Sequence, residues 1–375
     1  MDISFKFDPE VLVGADTLSM AGTIAVHHGT RIMVAADHGL DSQTINRLKE
    51  ILEDSGAEAI IFDGIEEDSS VDMAENVVEL LKAGHCDAVI GFGGQKTQII
   101  ARMAAIMAPM RITAFELLDG RIFQNKLLPL IAIPTEGPSV FSLVEYFIAA
   151  DPRTRLIKSI PSPGHLYAAV IVDSSLFKFL SDSAAPAFIF DGFLAALEAY
   201  CSTRANFLSD ALLERALNFY AKLLKSGATG INADTFAQAT FLTALGAAAS
   251  SPGVGSALSA AINARFPVSK PQCSAALLPV IAERLVSARP EKMARAASFL
   301  GNTKAASVAD AAKSSVDGIR RVMESLQVQT DLKSFNIPLD KLTAAVQTAR
   351  ALEFVPNSPW TVSEEEVFDI IKKVI

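Results

Sequence analysis

Asp87-Ala-Val-Ile-Gly91-Phe-Gly-Gly-Gln-Lys-Thr97 reads as a short apolar strand that ends in a glycine-rich turn and opens into a helix. Such a turn aims backbone N–H groups and the positive helix end at one spot, where a pyrophosphate can be cradled, and glycine permits its close approach. On its own the pattern describes a plain tight turn equally well. Working upstream, Arg31-Ile-Met-Val-Ala-Ala36 reads as a buried strand, followed by Ile45, Leu48, Ile51 and Leu52 at helical spacing and a stop at Gly56. The pattern repeats in Ala59-Ile-Ile-Phe62, a helix carrying Val77, Val78, Leu80 and Leu81, and a stop at Gly84. Three parallel strands with right-handed crossovers follow from this alternation. The apolar runs 130–133, 146–149 and 168–172 can extend the same sheet, with Pro129 and Pro134 keeping the first of them short.

Downstream the character changes. Segments 193–200, 211–224, 237–249 and 275–286 are rich in Ala and Leu and show no strand-like alternation. The expected fold class is therefore α/β plus all-α: a Rossmann-like parallel-sheet domain over residues 1–180, then a helical domain over 181–375. A chain of 375 residues is long enough for two cores.

Bulk properties narrow the function. Half of the residues are hydrophobic, yet the apolar segment from Ala184 to Tyr200 is interrupted by Asp191 and Glu198, which reads as a buried helix and not a membrane span. The start, MDISFKFDPE, has acids where a signal peptide has bases, so a cytoplasmic location is expected. Cys86, Cys201 and Cys273 suit neither a disulfide framework nor a metal clip. A net charge of −9 disfavours nucleic acid. The expected partners are a small-molecule substrate and a second copy of the chain, as a homodimer.

Asp37 closes the first strand, ahead of His38 and Gly39, where a carboxylate can accept both hydroxyls of an adenosine ribose and repel a 2′-phosphate. The alternative is an Asp that merely caps a turn. Taken in order, Ala35-Ala-Asp-His-Gly-Leu40, Phe62-Asp-Gly-Ile65, Gly93-Gly-Gln-Lys-Thr97, Ile131-Ala-Ile-Pro-Thr135, Ala169-Val-Ile-Val-Asp173, Asp191-Gly-Phe-Leu-Ala-Ala-Leu-Glu-Ala-Tyr200, Gly253-Val-Gly255, Ala275-Ala-Leu-Leu-Pro279 and Pro356-Asn-Ser-Pro-Trp-Thr-Val-Ser-Glu-Glu365 span nearly the whole chain. Together they resemble the iron-containing alcohol dehydrogenase and glycerol dehydrogenase superfamily.

The resemblance implies a dehydroquinate synthase-like fold, with NAD on the first domain and a metal held by the second. It assigns cofactor contacts to Asp37, Gly93, Gly94, Gln95, Lys96, Thr97, Thr135 and Ser139, the last of which is equally read as a turn residue. Asp191 matches the family's metal-binding aspartate, but the histidine positions fall on Ala195, Ala260 and Lys270. All five histidines, His27, His28, His38, His85 and His165, lie in the first 165 residues, so no metal site is expected. The nucleotide half also departs from the pattern, through Gln95, Ile99, the acids Glu67 and Asp68, and the loop Thr135-Glu-Gly-Pro-Ser139.

Two functional readings follow. One is an NAD(H)-dependent oxidoreductase without metal, acting on a small activated carbonyl or hydroxy compound, with Lys270 and Asp191 as catalytic residues; the other is a non-catalytic member that keeps the fold as a nucleotide-binding or scaffolding module. For Lys270 the choice lies between an electrophile or proton donor and a solvated loop lysine. A carboxylate at Asp191 among small apolar neighbours needs a counterion or a proton, and Lys270, or else Arg265, is expected to supply the charge. On that reading Lys270→Ala harms the protein more than Asp191→Asn.

Overall fold

The computed structural model describes residues 5–121, 127–177, 183–227, 230–302 and 305–375. Contacts divide the chain into two units. The first comprises Met1–Pro138, Glu145–Arg153 and Ile160–Lys178, and the second Ser139–Val144, Thr154–Ser159 and Phe179–Ile375.

Among the described residues eight strands form: β1 (Glu10–Gly14), β2 (Arg31–Asp37), β3 (Glu58–Ile65), β4 (Ala88–Gly93), β5 (Leu130–Pro134), β6 (Tyr146–Asp151), β7 (Leu156–Pro161) and β8 (Tyr167–Asp173). Six of them make one sheet in the order β1-β8-β5-β4-β2-β3, with every pairing parallel. Strands β4 and β5 are buried along their whole lengths, which is why they read as unbroken apolar runs and not as alternation. The connecting helices are α1 (Ala21–Val26), α2 (Ser42–Asp54), α3 (Met73–Ala83), α4 (Gln95–Met110) and α5 (Ala114–Leu118). Helix α2 opens on Asp41, whose side chain accepts the Thr44 N–H.

The strand order reverses between β2 and β4: β3 lies beyond β2 on one side, while β5 and β8 follow β4 on the other. Ligands of open α/β sheets bind at such a switch point, outside the carboxyl ends of the strands. The sequence puts Asp37 and Gly93 at those ends.

One strand assignment needs correction. The run 146–149 forms β6 but does not extend the main sheet; it belongs to a separate two-stranded sheet with β7. Four apolar positions specify a strand without specifying its partner, and the short turn at 152–155 leaves β7 as the nearest strand in sequence. The place at the sheet edge is taken instead by β1, a short, half-exposed strand with weak patterning.

The second unit is helical: α6 (Ala185–Cys201), α7 (Phe207–Lys225), α8 (Ala233–Ala248), α9 (Val254–Arg265), α10 (Lys270–Ala288), α11 (Pro290–Phe299), α12 (Val308–Ser325), α13 (Leu339–Arg350) and α14 (Glu364–Lys372). Helix α6 is its axis, buried on nearly every face, with Phe193 set edge-on to Tyr220 of α7. Helices α7 and α10 begin with full capping boxes, on Asn206 with Ser209 and on Ser269 with Gln272. No helix among the described residues is long and apolar enough to cross a membrane.

Candidate functional site

In the α/β unit, the strand ends assemble a cradle at the start of α4. Gly94 precedes the first helical residue in an extended conformation, and Gln98 ties the helix back to its strand by donating to Gly91 O and Gly93 O at 2.8 and 3.2 Å. Thr135 N–H donates to Gly93 O at 3.1 Å, which sets the end of β5 beside the turn. Asp37, Gly93, Gly94, Gln95, Thr97 and Thr135 thus come together at the carboxyl ends of three neighbouring strands.

The chemistry of the cradle differs from the expectation in two respects. Asp37 turns both oxygens onto backbone, accepting Gly39 N–H at 2.8 Å and, at the long distance of 3.4 Å, Gly94 N–H. A carboxylate that sequence reasoning passed over, Glu136, also faces the turn and accepts Gln95 N–H at 3.3 Å. Thr97 is fully buried, and its Oγ1 has no partner among the described residues. Burial lowers the pKa of Lys96, against the opposing field of Asp68 and Glu67. Ser139 falls in the segment grouped with the helical unit, and its hydroxyl accepts Phe141 N–H at 3.3 Å within its own turn. The glycine turn and the orphaned Thr97 hydroxyl fit a pyrophosphate, whereas the acids at Asp37 and Glu136 compete with one for the same N–H groups.

The helical unit holds the second cluster. Asp191, Ala195 and Glu198 share one face of α6. Lys270 is the first residue of α10, only 5 % exposed, and its Nζ donates to Asp191 Oδ1 at 2.5 Å. It is no loop lysine: the capping box on Ser269 fixes its backbone and the ion pair its side chain. Ser274, one turn further along α10, donates to the same Oδ1 at 2.5 Å and lies 2.8 Å from Ser259 Oγ of α9. Spacing of four from Lys270 was the signal that could have found it.

Further along α6, Glu198 is buried against the start of α9. It accepts Gly255 N–H at 2.5 Å, Ser256 N–H at 2.9 Å and the Ser256 hydroxyl at 2.8 Å. A Cβ on Gly253 would stand 2.6 Å from this carboxyl, so the Gly253-Val-Gly255 sequence exists to admit Glu198. Burial pushes its pKa up to about 6 despite those donors.

A divalent metal does not fit this cluster. Its carboxylate Asp191 is already paired with an ammonium, and the described residues offer no group of three His, Cys, Asp or Glu side chains. Cys273 lies close by, but burial holds its thiol at about 12, far from the thiolate a metal requires.

The comparisons with known proteins agree with this architecture. The iron-containing alcohol dehydrogenase family matches residues 8–174, and the C-terminal domain of the Fe-containing alcohol dehydrogenase family matches residues 189–375. The chain belongs to the iron-containing alcohol dehydrogenase family. It is 26% identical over 291 residues to choline dehydrogenase of Bacillus subtilis, covering 75% of this chain and 72% of that protein. The structure of a 1,3-propanediol oxidoreductase is similar over 100% of both chains, with a TM-score of 0.91 and 21% identity. Sulfoacetaldehyde reductase from Bifidobacterium kashiwanohense, solved in complex with NAD+, gives a TM-score of 0.83 at 17% identity over 100% of this chain and 99% of its own.

Proposed function

We propose that this chain is a metal-independent oxidoreductase that uses NAD(H) and acts on a small carbonyl or hydroxy compound already activated by a neighbouring group. The observation that carries this reading is the buried pair of Lys270 with Asp191; the family resemblance matches these two positions to its metal-binding aspartate and one of its histidines. Bound NADH would supply the hydride. As the carbonyl oxygen gains charge, Lys270 Nζ donates the proton to it, and Asp191, the more exposed partner at 22 %, holds the nitrogen in place and connects it to solvent for reprotonation. An ammonium already shared with a carboxylate polarises a carbonyl less than a divalent cation does, which is why the substrate must carry its own activation. Asp37 puts a negative charge at the strand end, with no Lys or Arg in Ala36-Asp-His-Gly39, which favours NAD(H) over NADP(H).

The test is NADH oxidation against a panel of 2-keto acids, other activated aldehydes and simple alkyl aldehydes, in the presence of a chelator. Turnover of the activated compounds that survives the chelator and falls about a hundredfold in Lys270→Ala is expected. Activity that requires added iron or zinc, or tighter use of NADPH, would overturn the reading. A second reading, a non-catalytic module, draws on the acids lying in the phosphate cradle.

A further inference from the structure

We propose that Glu136 is a built-in occupant of the phosphate cradle and thereby sets which ligands, and how tightly, the α/β unit accepts. The inference rests on the dinucleotide reading of that cradle. A helix leaves its first N–H groups without backbone partners and carries positive charge there, so an anion is the natural occupant. Here the chain supplies its own. Thr135, at the end of β5, is bonded to Gly93 at the end of β4, and this register delivers the next residue, Glu136, over the turn. A Cβ on Gly94 would stand 3.0 Å from Cδ and from both carboxyl oxygens of Glu136, so the carboxylate lies flat on the glycine.

Gln95 N–H is thereby directed at Glu136 and Gly94 N–H at Asp37, at 3.3 and 3.4 Å. Both distances lie beyond the usual range for such bonds, so the carboxylates occupy the donors without binding them strongly. The buried Thr97 hydroxyl, third in the same helix, has no partner among the described residues and marks an acceptor that neither carboxylate provides. A pyrophosphate would use the same donors as Glu136, and the two negative groups cannot share them. Ligand entry therefore requires Glu136 to swing out, and the work of separating it from the helix end is subtracted from the affinity.

Titration calorimetry on the full chain, with NADH and separately with inorganic pyrophosphate, compares the parent with Glu136→Gln and Glu136→Ala. Glu136→Gln keeps the length of the side chain and its acceptor for Gln95 while removing the charge, so it guards against a folding defect in the shorter variant. Both variants are expected to bind NADH and pyrophosphate about tenfold more tightly than the parent, or better. Equal affinities in all three proteins would overturn the role of Glu136 and leave the cofactor assignment standing. A gain for pyrophosphate with no binding of NADH would support Glu136 as occupant while removing the dinucleotide reading. No binding of either ligand by any of the three would overturn both.

Discussion

Removing either partner of the Lys270–Asp191 pair is expected to cost about 3 kcal/mol of stability, because each single change leaves a charge in a largely dry site. The order of the two effects follows from burial. Lys270 is 5 % exposed and Asp191 22 %, so Asp191→Asn strands the deeper charge, whereas Lys270→Ala leaves a carboxylate that keeps the Ser274 hydroxyl and some contact with water. Asp191→Asn should therefore be at least as harmful, which reverses the order expected from sequence. The double variant Asp191→Leu with Lys270→Met removes both charges and keeps the volume; Ser274 retains Ser259 at 2.8 Å. It should recover most of the loss, giving a coupling of about 2 kcal/mol or more in a urea-denaturation cycle. Additive single effects would show that the two side chains do not depend on each other.

The other large effect concerns Glu198. Its ordinary pKa of 4.5 is raised to about 6, with burial outweighing the donors from Gly255 and Ser256. For an acid raised in this way the fold favours the protonated form. Its contribution is complete below about 4.5 and is lost as the pH climbs through about 6. A shift of this size corresponds to about 2 kcal/mol less stability at about pH 7.5 than at about pH 4.5 from this group alone. Glu198→Gln should abolish that slope, since an amide does not titrate. Glu198→Ala should cost about 3 kcal/mol or more throughout, by leaving two buried N–H groups and the Ser256 hydroxyl without their acceptor. Calorimetric melting of the three proteins across that range decides the matter; an unchanged slope in Glu198→Gln would place the titration elsewhere.

Much of this was legible in the sequence because the central strands of the sheet are buried on both faces. Runs such as Ala88–Gly93 and Leu130–Pro134 are apolar throughout and are closed by glycine or proline, so their type and order could be read directly. The run at Tyr146 was misplaced because partner choice is a tertiary property. At the site, Lys270 was legible because the family resemblance expects a metal-binding histidine there, and the need of Asp191 for a counterion is elementary electrostatics. Ser274 and Ser259 carry no such signal, since small hydroxyl residues are common in helices and acquire meaning only when α9 and α10 pack together. Glu136 was hidden for a different reason. Its importance depends on β5 lying next to β4, a fact of strand order that no local pattern contains.

The central claim is that an ammonium has replaced the metal at Asp191. Elemental analysis of the untagged protein, equilibrated with ferrous iron or zinc and then freed of unbound ion, tests it directly. The account predicts well below about 0.1 equivalent of metal per chain, in the parent and in Asp191→Asn alike, because one carboxylate paired with Lys270 offers too few donors. About one equivalent in the parent, lost in Asp191→Asn, would contradict it.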